Sequence, residues 1–413
     1  MKSGSQSALS VSILLMLLLA TQPVATDVYL PALPQIAIDT GGTTGQVQWT
    51  LTAYIMSFGL MQLVAGSLAD KYGRRSTLLW GLALYVAAGM VGVLAMHLPL
   101  LIASRVVQGA ATAACIISAR AVIRDKYSGA AGLGIMARSM TGMSLIGFLS
   151  PVVGGLVTEY FSWHATLAVV TGFGVLTWLV VYFYFVETHT NHTAHTANTT
   201  HAPANDGVVI TTGDTNFSFS YFLRNKQFLF SSLLAGSSFS GAMAFLMLSP
   251  FVFIGEFGMS RVAYGVLPAL CSMAFLIGTV ICRQCLRYWT VPKVVRVGAS
   301  LSLIGGITEF VLWQLHVRSV FAIVAPQCIF MLGHGFHQPC GQGGAVAPFP
   351  DCAGRAAAVS GFLITGTAFT VGQIISHSSH AASQTLVMTM LVVATALGVL
   401  GWIAIPSAYR DIA

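Results

Sequence analysis

Twelve runs of mostly apolar residues follow one another along this chain. They fall at 9–30, 46–69, 77–97, 99–122, 131–157, 163–186, 225–250, 263–283, 297–315, 320–347, 357–377 and 383–405. A helix needs about 20 such residues to cross a bilayer. Composition agrees: 55% of the 413 residues are hydrophobic and 8% are charged, against about 25% charged in soluble domains. Such a chain cannot cover its surface with charge, so lipid is its expected solvent and an all-α membrane protein its expected fold class.

The runs split six and six around a polar segment. We expect an N-terminal six-helix half over 1–186, a polar linker over 187–224 and a C-terminal six-helix half over 225–413. Two six-span halves joined by a long loop is an arrangement of many secondary transporters. A reading of Lys2, the apolar core and "PVATD" as a cleaved signal peptide would leave an uneven first half. Apolar character resumes at "VYLPAL", so residues 1–25 are expected to be retained.

Lysine and arginine set the orientation. With the N-terminus in the cytoplasm, the inner segments hold Lys2, Lys71, Arg74, Arg75, Arg124, Lys126, Arg224, Lys226, Arg283, Arg287, Lys293, Arg296, Arg355 and Arg410, and the outer loops hold only Arg261 and Arg318. Arg105, Arg120 and Arg138 fall within spans. The bias predicts a multi-pass protein of the bacterial inner membrane with both termini cytoplasmic. It also accounts for the net charge of +7 without a nucleic-acid partner.

The linker carries His189, His192, His195 and His201 in a Thr/Asn/Ala background, which reads as a flexible tether rather than a metal site. Its "NHT", "NTT" and "NFS" match the glycosylation pattern but lie on the cytoplasmic side. The seven cysteines mostly sit inside apolar runs, and "CRQC" (Cys282, Cys285) lacks the strand–helix setting of a redox motif. They read as small buried hydrophobes. No ATP-binding loop, metal-ligand cluster or pair of catalytic carboxylates appears, so neither an enzyme nor a cofactor is expected.

Three stretches go beyond bundle packing. In "GSLADKYGRRS", Asp70 closes a helix at the end where the dipole is already negative, with Arg74 and Arg75 in reach across a turn at Gly73. In "LIASRVVQGAATAA", Arg105 lies at membrane depth. In "GFLSPVVGG", Pro151 among glycines kinks a helix and lets neighbours approach.

These stretches resemble motifs of the major facilitator superfamily. The first, with Gly66, Asp70, Gly73, Arg74 and Arg75, is similar to its cytoplasmic gate loop, a latch closed when the transporter faces outward. The equivalent loop of the second half, "RQCLRYWTVPKVVR", lacks a matching aspartate. The second, with Gln108 and Gly109, is similar to the span-4 motif whose arginine faces the cavity and takes part in proton coupling. The third, with Gly147, Pro151, Gly154 and Gly155, resembles the antiporter motif, with Ser150-Pro151 where the family usually has Gly-Pro. "DVYLPALPQIA", "VQWTLTAYIMSFGLMQLVAGSLADKYGRR", "ARAVIRDKYSG" and "APFPDCAGRAAAVSGFL" extend the resemblance over nearly the whole chain. They look like the Bcr/CflA group of twelve-span drug:proton antiporters, and the fold implied is the major facilitator fold.

Of the acids, only Asp27 and Glu309 fall at membrane depth. A proton-coupled carrier needs a carboxyl group whose proton affinity responds to desolvation and to a nearby cation. Asp27 and Arg105 lie at similar depth, so we expect them to pair or to exchange partners during the cycle. Glu309 reads as a second proton site, an acid for cationic drugs or an acid near the boundary. His334 and His337 read as hydrogen-bonded structural groups, with a coupling role as the alternative. Candidate cavity residues are Tyr54, Gln62, Gln108, Met143, Phe245 and Phe336, since methionine and aromatics suit varied ligands. The resemblance implies a proton-coupled exporter of small drug-like compounds, or else a dedicated exporter of an amino acid, nucleoside or siderophore. Its expected partners are a small-molecule substrate, protons and membrane lipid, with the chain a monomer.

Overall fold

The computed structural model describes residues 8–126, 129–185 and 219–410. The histidine-rich tract and the three Asn-x-Ser/Thr sequences lie outside the described residues.

Among these, twelve helices are long and apolar enough to cross a membrane: α1 Val11–Thr40, α2 Thr44–Tyr72, α3 Arg74–Val93, α4 Leu98–Ile123, α5 Gly134–Tyr160, α6 Trp163–Tyr184, α7 Lys226–Glu256, α8 Arg261–Cys285, α9 Val291–Gln314, α10 Val320–Val346, α11 Ala353–Ser376 and α12 Ala382–Tyr409. Each expected span has its counterpart. The helices form two six-helix halves. The loops at Lys71–Arg75 and 285–290 mark one end of the bundle, called here the basic end; the opposite end is the far end.

Local chemistry sets the boundaries. Thr43 caps α2 with a full capping box: its hydroxyl accepts from Gln46 N–H at 3.2 Å and its own N–H donates to Gln46 Oε1 at 2.9 Å, satisfying two donors that a helix start leaves open. Asn225, Ser162 and Ser260 cap α7, α6 and α8 through their side chains, each such cap contributing about 1 kcal/mol. Gly73, with φ +85°, makes the reversal between α2 and α3, in a region that favours glycine.

The first apolar run, 9–30, stops just before Pro31 and Pro34. The chain instead breaks and resumes. The helix Ala8–Asp27 stops, a 3-10 turn covers Leu30–Ala32, and helix Leu33–Thr40 continues to Gly41. Proline at 31 and 34 cannot donate to the carbonyls of Asp27 and Leu30, which interrupts the ladder without ending the span.

The apolar cores are distributed unevenly. One core runs through the second half, from Cys282 and Val294 near the basic end to the far end, where it takes in the first half: there Tyr29, Leu33, Ile36 and Leu51 pack in it with Phe245, Leu248 and Phe253. At the basic end the cores are separate. Leu14, Leu18, Leu78, Val122 and Val181 form one within the first half, and Phe222, Phe228, Phe349 and Val359 form another within the second. Between the halves, α2 and α11 interlock through glycines. A Cβ at Gly59 would collide with Thr365, and one at Gly361 with Gln62. One turn beyond Gln62, the Cβ position of Gly66 has nothing within 4 Å.

Candidate functional site

Asp27 is the last residue of helix Ala8–Asp27. Its Oδ1 accepts from the Thr26 hydroxyl at 2.7 Å. Carbonyls at a helix end lack intrahelical donors, and the break after Asp27 leaves that of Ala25 for a side chain to satisfy. Arg105, fully buried on α4, supplies it: one guanidinium nitrogen donates to Ala25 O at 2.7 Å and the other to Gln108 Oε1 at 2.6 Å. The remaining Nε has no partner.

Two tyrosines box the guanidinium. The Tyr29 ring centroid lies 4.4 Å away and that of Tyr54 5.2 Å away, within the range where a ring face attracts a cation. Each ring is fixed in turn, Tyr29 by its hydroxyl donating to Thr50 at 3.1 Å and Tyr54 by donating to Thr112 at 3.0 Å. No ion pair joins Asp27 to Arg105 among the described residues. In this state the arginine touches the helix that carries the acid, through its backbone, and not the acid itself.

The other expected residues divide by place. Tyr54 and Gln108 belong to the arginine's surroundings. Gln62 lies at the α2–α11 contact and Met143 is half-buried on α5. Phe245 and Phe336 are buried in packed core, Phe245 against Phe253 with centroids 6.3 Å apart and Phe336 over Gly298. His334 and His337 share one partner: their Nδ1 atoms lie 2.7 and 3.2 Å from the Ser238 hydroxyl. Cys282 Sγ lies 3.8 Å from Cys340 Sγ, and both are free. Glu309 is buried, and neither of its carboxylate oxygens has a hydrogen-bond partner.

Sequence reasoning missed Ala25, Tyr29, Thr50 and Thr112. Ala25 acts through its carbonyl, which no side-chain pattern reveals. Tyr29 stands two residues after Asp27 and was the readable signal.

At the basic end, Asp70 and Arg74 form an ion pair at 2.6 Å across the Gly73 turn, with the aspartate 62% exposed and the arginine buried. Arg75 reaches the end of α6, donating to Phe185 O and Tyr182 O, each at 2.9 Å. A cation there complements the carbonyl end of that helix. At the far end, Gly154 leaves room for the Val28 carbonyl of α1, and Gly155 for the Arg261 carbonyl of α8. Gly147 faces Pro23, and the Pro151 carbonyl faces Gly265. These glycines therefore hold α5 close to α1 and α8.

Residues 15–376 match the family model described as the Major Facilitator Superfamily. The chain belongs to the major facilitator superfamily. It is thus a membrane transporter, not an enzyme. This transporter is 25% identical over 342 residues to a chloramphenicol resistance protein of Pseudomonas aeruginosa, covering 81% of this chain and 75% of that one. It is 26% identical over 369 residues to multidrug resistance protein D of Escherichia coli, covering 87% and 86%. Both names fit the resemblance to drug exporters read from the motifs. Among solved structures, the D-xylose-proton symporter superposes with a TM-score of 0.76 at 12% identity, covering 97% of this chain and 98% of that one, which establishes the shared fold.

Proposed function

We propose that this transporter is a proton-coupled antiporter that exports small drug-like compounds across the bacterial inner membrane by alternating access. The observation that carries the reading is the arrangement around Asp27. A carboxyl group at the break in α1 stands two residues along the chain from Ala25, whose carbonyl holds a buried guanidinium. A buried cation without a carboxylate partner is costly, so Arg105 has reason to take Asp27 as partner when that acid is ionised. Protonation of Asp27 returns Arg105 to Ala25 and Gln108. Proton and substrate then favour different partner sets, and so different facing states.

The core distribution supports the cycle. A seal at the far end combined with separate cores at the basic end is the geometry of a bundle open on the basic side. The basic loops and both termini lie in the cytoplasm on this reading, in keeping with the lysine and arginine bias. Residues 187–224 then tether two halves that rock against each other. Asp70, exposed here, is the latch acid that meets the second half when the basic end closes, with Gly66 giving α11 room to approach. Substrate is taken up between the halves on the side of Tyr54 and Gln108, and one chain suffices for the cycle.

The test is growth of a bacterium lacking its major pumps, on a panel of antibiotics and dyes, expressing the native chain or Asp27→Asn at equal level. The expected result is protection against several unrelated compounds, lost in the variant. Equal protection by both would remove Asp27 from coupling. No protection by either would overturn drug export.

A further inference from the structure

Glu309 is the most conspicuous group that the transport reading leaves unused. It sits on α9 five residues before the helix ends at Gln314, about 8 Å along the axis. It is 1% exposed, and neither carboxylate oxygen has a hydrogen-bond partner. Ionising a buried carboxyl with no partner costs several kcal/mol, so the charged form of this group calls for a partner that the chain does not supply.

Glu309 is among the residues that line a cavity of about 480 Å³ at the far end of the second half, between α7, α9, α10 and α12, with its carboxylate oxygens set back in the wall. That volume lies within the range of small-molecule sites. Trp313 stands one turn above Glu309 on the same face of α9, and Phe257 lies opposite at the end of α7. The apolar wall comes from Ala322 and Ile323 of α10. Gln327, one turn deeper than Ile323 on the same face, is fully buried with neither amide atom bonded.

The titratable groups around the cavity are Glu256, Glu309, His316 and Arg318. Glu256 is exposed at the mouth, where its carboxylate accepts from the Ser383 N–H at 3.1 Å. His316 and Arg318 are also exposed, so water and salt screen them. Arg318 forms no ion pair with Glu309. Of these groups, the only one at depth that can carry charge is therefore Glu309, whose ionised form is favoured when a cation enters beside it.

We propose that this cavity is a second ligand site, within the second half alone, for a small organic ammonium cation. Glu309 neutralises the cation, and Trp313 and Phe257 offer ring faces to it. The site lies apart from the Asp27–Arg105 region, which belongs to the first half, and opens at the far end. Three features together favour a cation of this class over a metal ion: the aromatic walls, the volume, and the absence of any group of three metal-ligating side chains among the described residues.

The test is calorimetric titration of the full-length chain in detergent with benzyltrimethylammonium. Saturable binding is expected in the native chain and in Asp27→Asn, which separates this site from the transport reading. Glu309→Gln should weaken it by about tenfold or more, a loss of about 1.4 kcal/mol. Ala322→Phe, which keeps the carboxylate and fills the cavity, should abolish it, and thermal unfolding checks that both variants fold. Absence of saturable binding in the native chain, or binding that both variants retain, would overturn the proposal.

Discussion

Arg105 is where a single residue does the most. Its guanidinium bonds a side chain and a backbone carbonyl on two different helices while lying between two rings. Lysine has the charge but not the planar fork. Arg105→Lys should therefore lower drug efflux by about tenfold or more with the protein present at its usual level, as read by dye efflux and immunoblot. Asp70 calls for the opposite balance. Its pair with Arg74 is largely solvent-facing, and exposed pairs contribute no more than about 1 kcal/mol. If Asp70 is the latch acid proposed above, Asp70→Asn should leave the melting temperature nearly unchanged and still reduce efflux, since the latch would act only when the basic end closes. An equal loss of stability and efflux would mark Asp70 as merely structural.

At the scale of the element, hydropathy was enough to place all the spans, because lipid demands long apolar helices whatever their packing. The break in α1 was half legible. Pro31 and Pro34 announce a missing pair of donors, but only the packed structure has the helix resume and the Ala25 carbonyl turn to Arg105. The pairing of Arg105 with a backbone oxygen was beyond the sequence for the same reason. The neighbours of Glu309 were hidden too, since they come from four helices far apart in the chain. Glycines sort by what surrounds them. Gly154→Val would drive a side chain into the Val28 carbonyl, so a destabilisation of about 1–3 kcal/mol is expected, measurable by thermal unfolding in detergent. The Cβ of Gly66→Val meets nothing within 4 Å in this state. It should fold normally and yet block efflux, by obstructing the approach of α11. Normal efflux by Gly66→Val would argue that the basic end closes elsewhere.

Across the whole molecule, the far-end seal is polar as well as apolar. Arg261 of α8 donates to Gln35 of α1 at 2.7 Å and lies 3.9 Å from Glu159 of α5. In a chain whose native cysteines are replaced, Gln35→Cys with Arg261→Cys should be joined by a reducible bis-thiol crosslinker that spans the two removed side chains, a separation too long for a direct disulfide to be assumed, and efflux should stop. Reduction should restore it. Full efflux by the crosslinked protein would show that the far end need not open. The apolar part of the seal carries a thermal consequence. Parting Leu33 and Ile36 from Phe245, Leu248 and Phe253 bares apolar surface, and each Å² exposed to water adds about 0.45 cal/mol/K to the heat capacity. The opening step thus has an activation enthalpy that grows with temperature. Its Arrhenius plot should bend, shallow in the cold and steep in the warm, whereas a step limited by proton transfer alone would give a straight line.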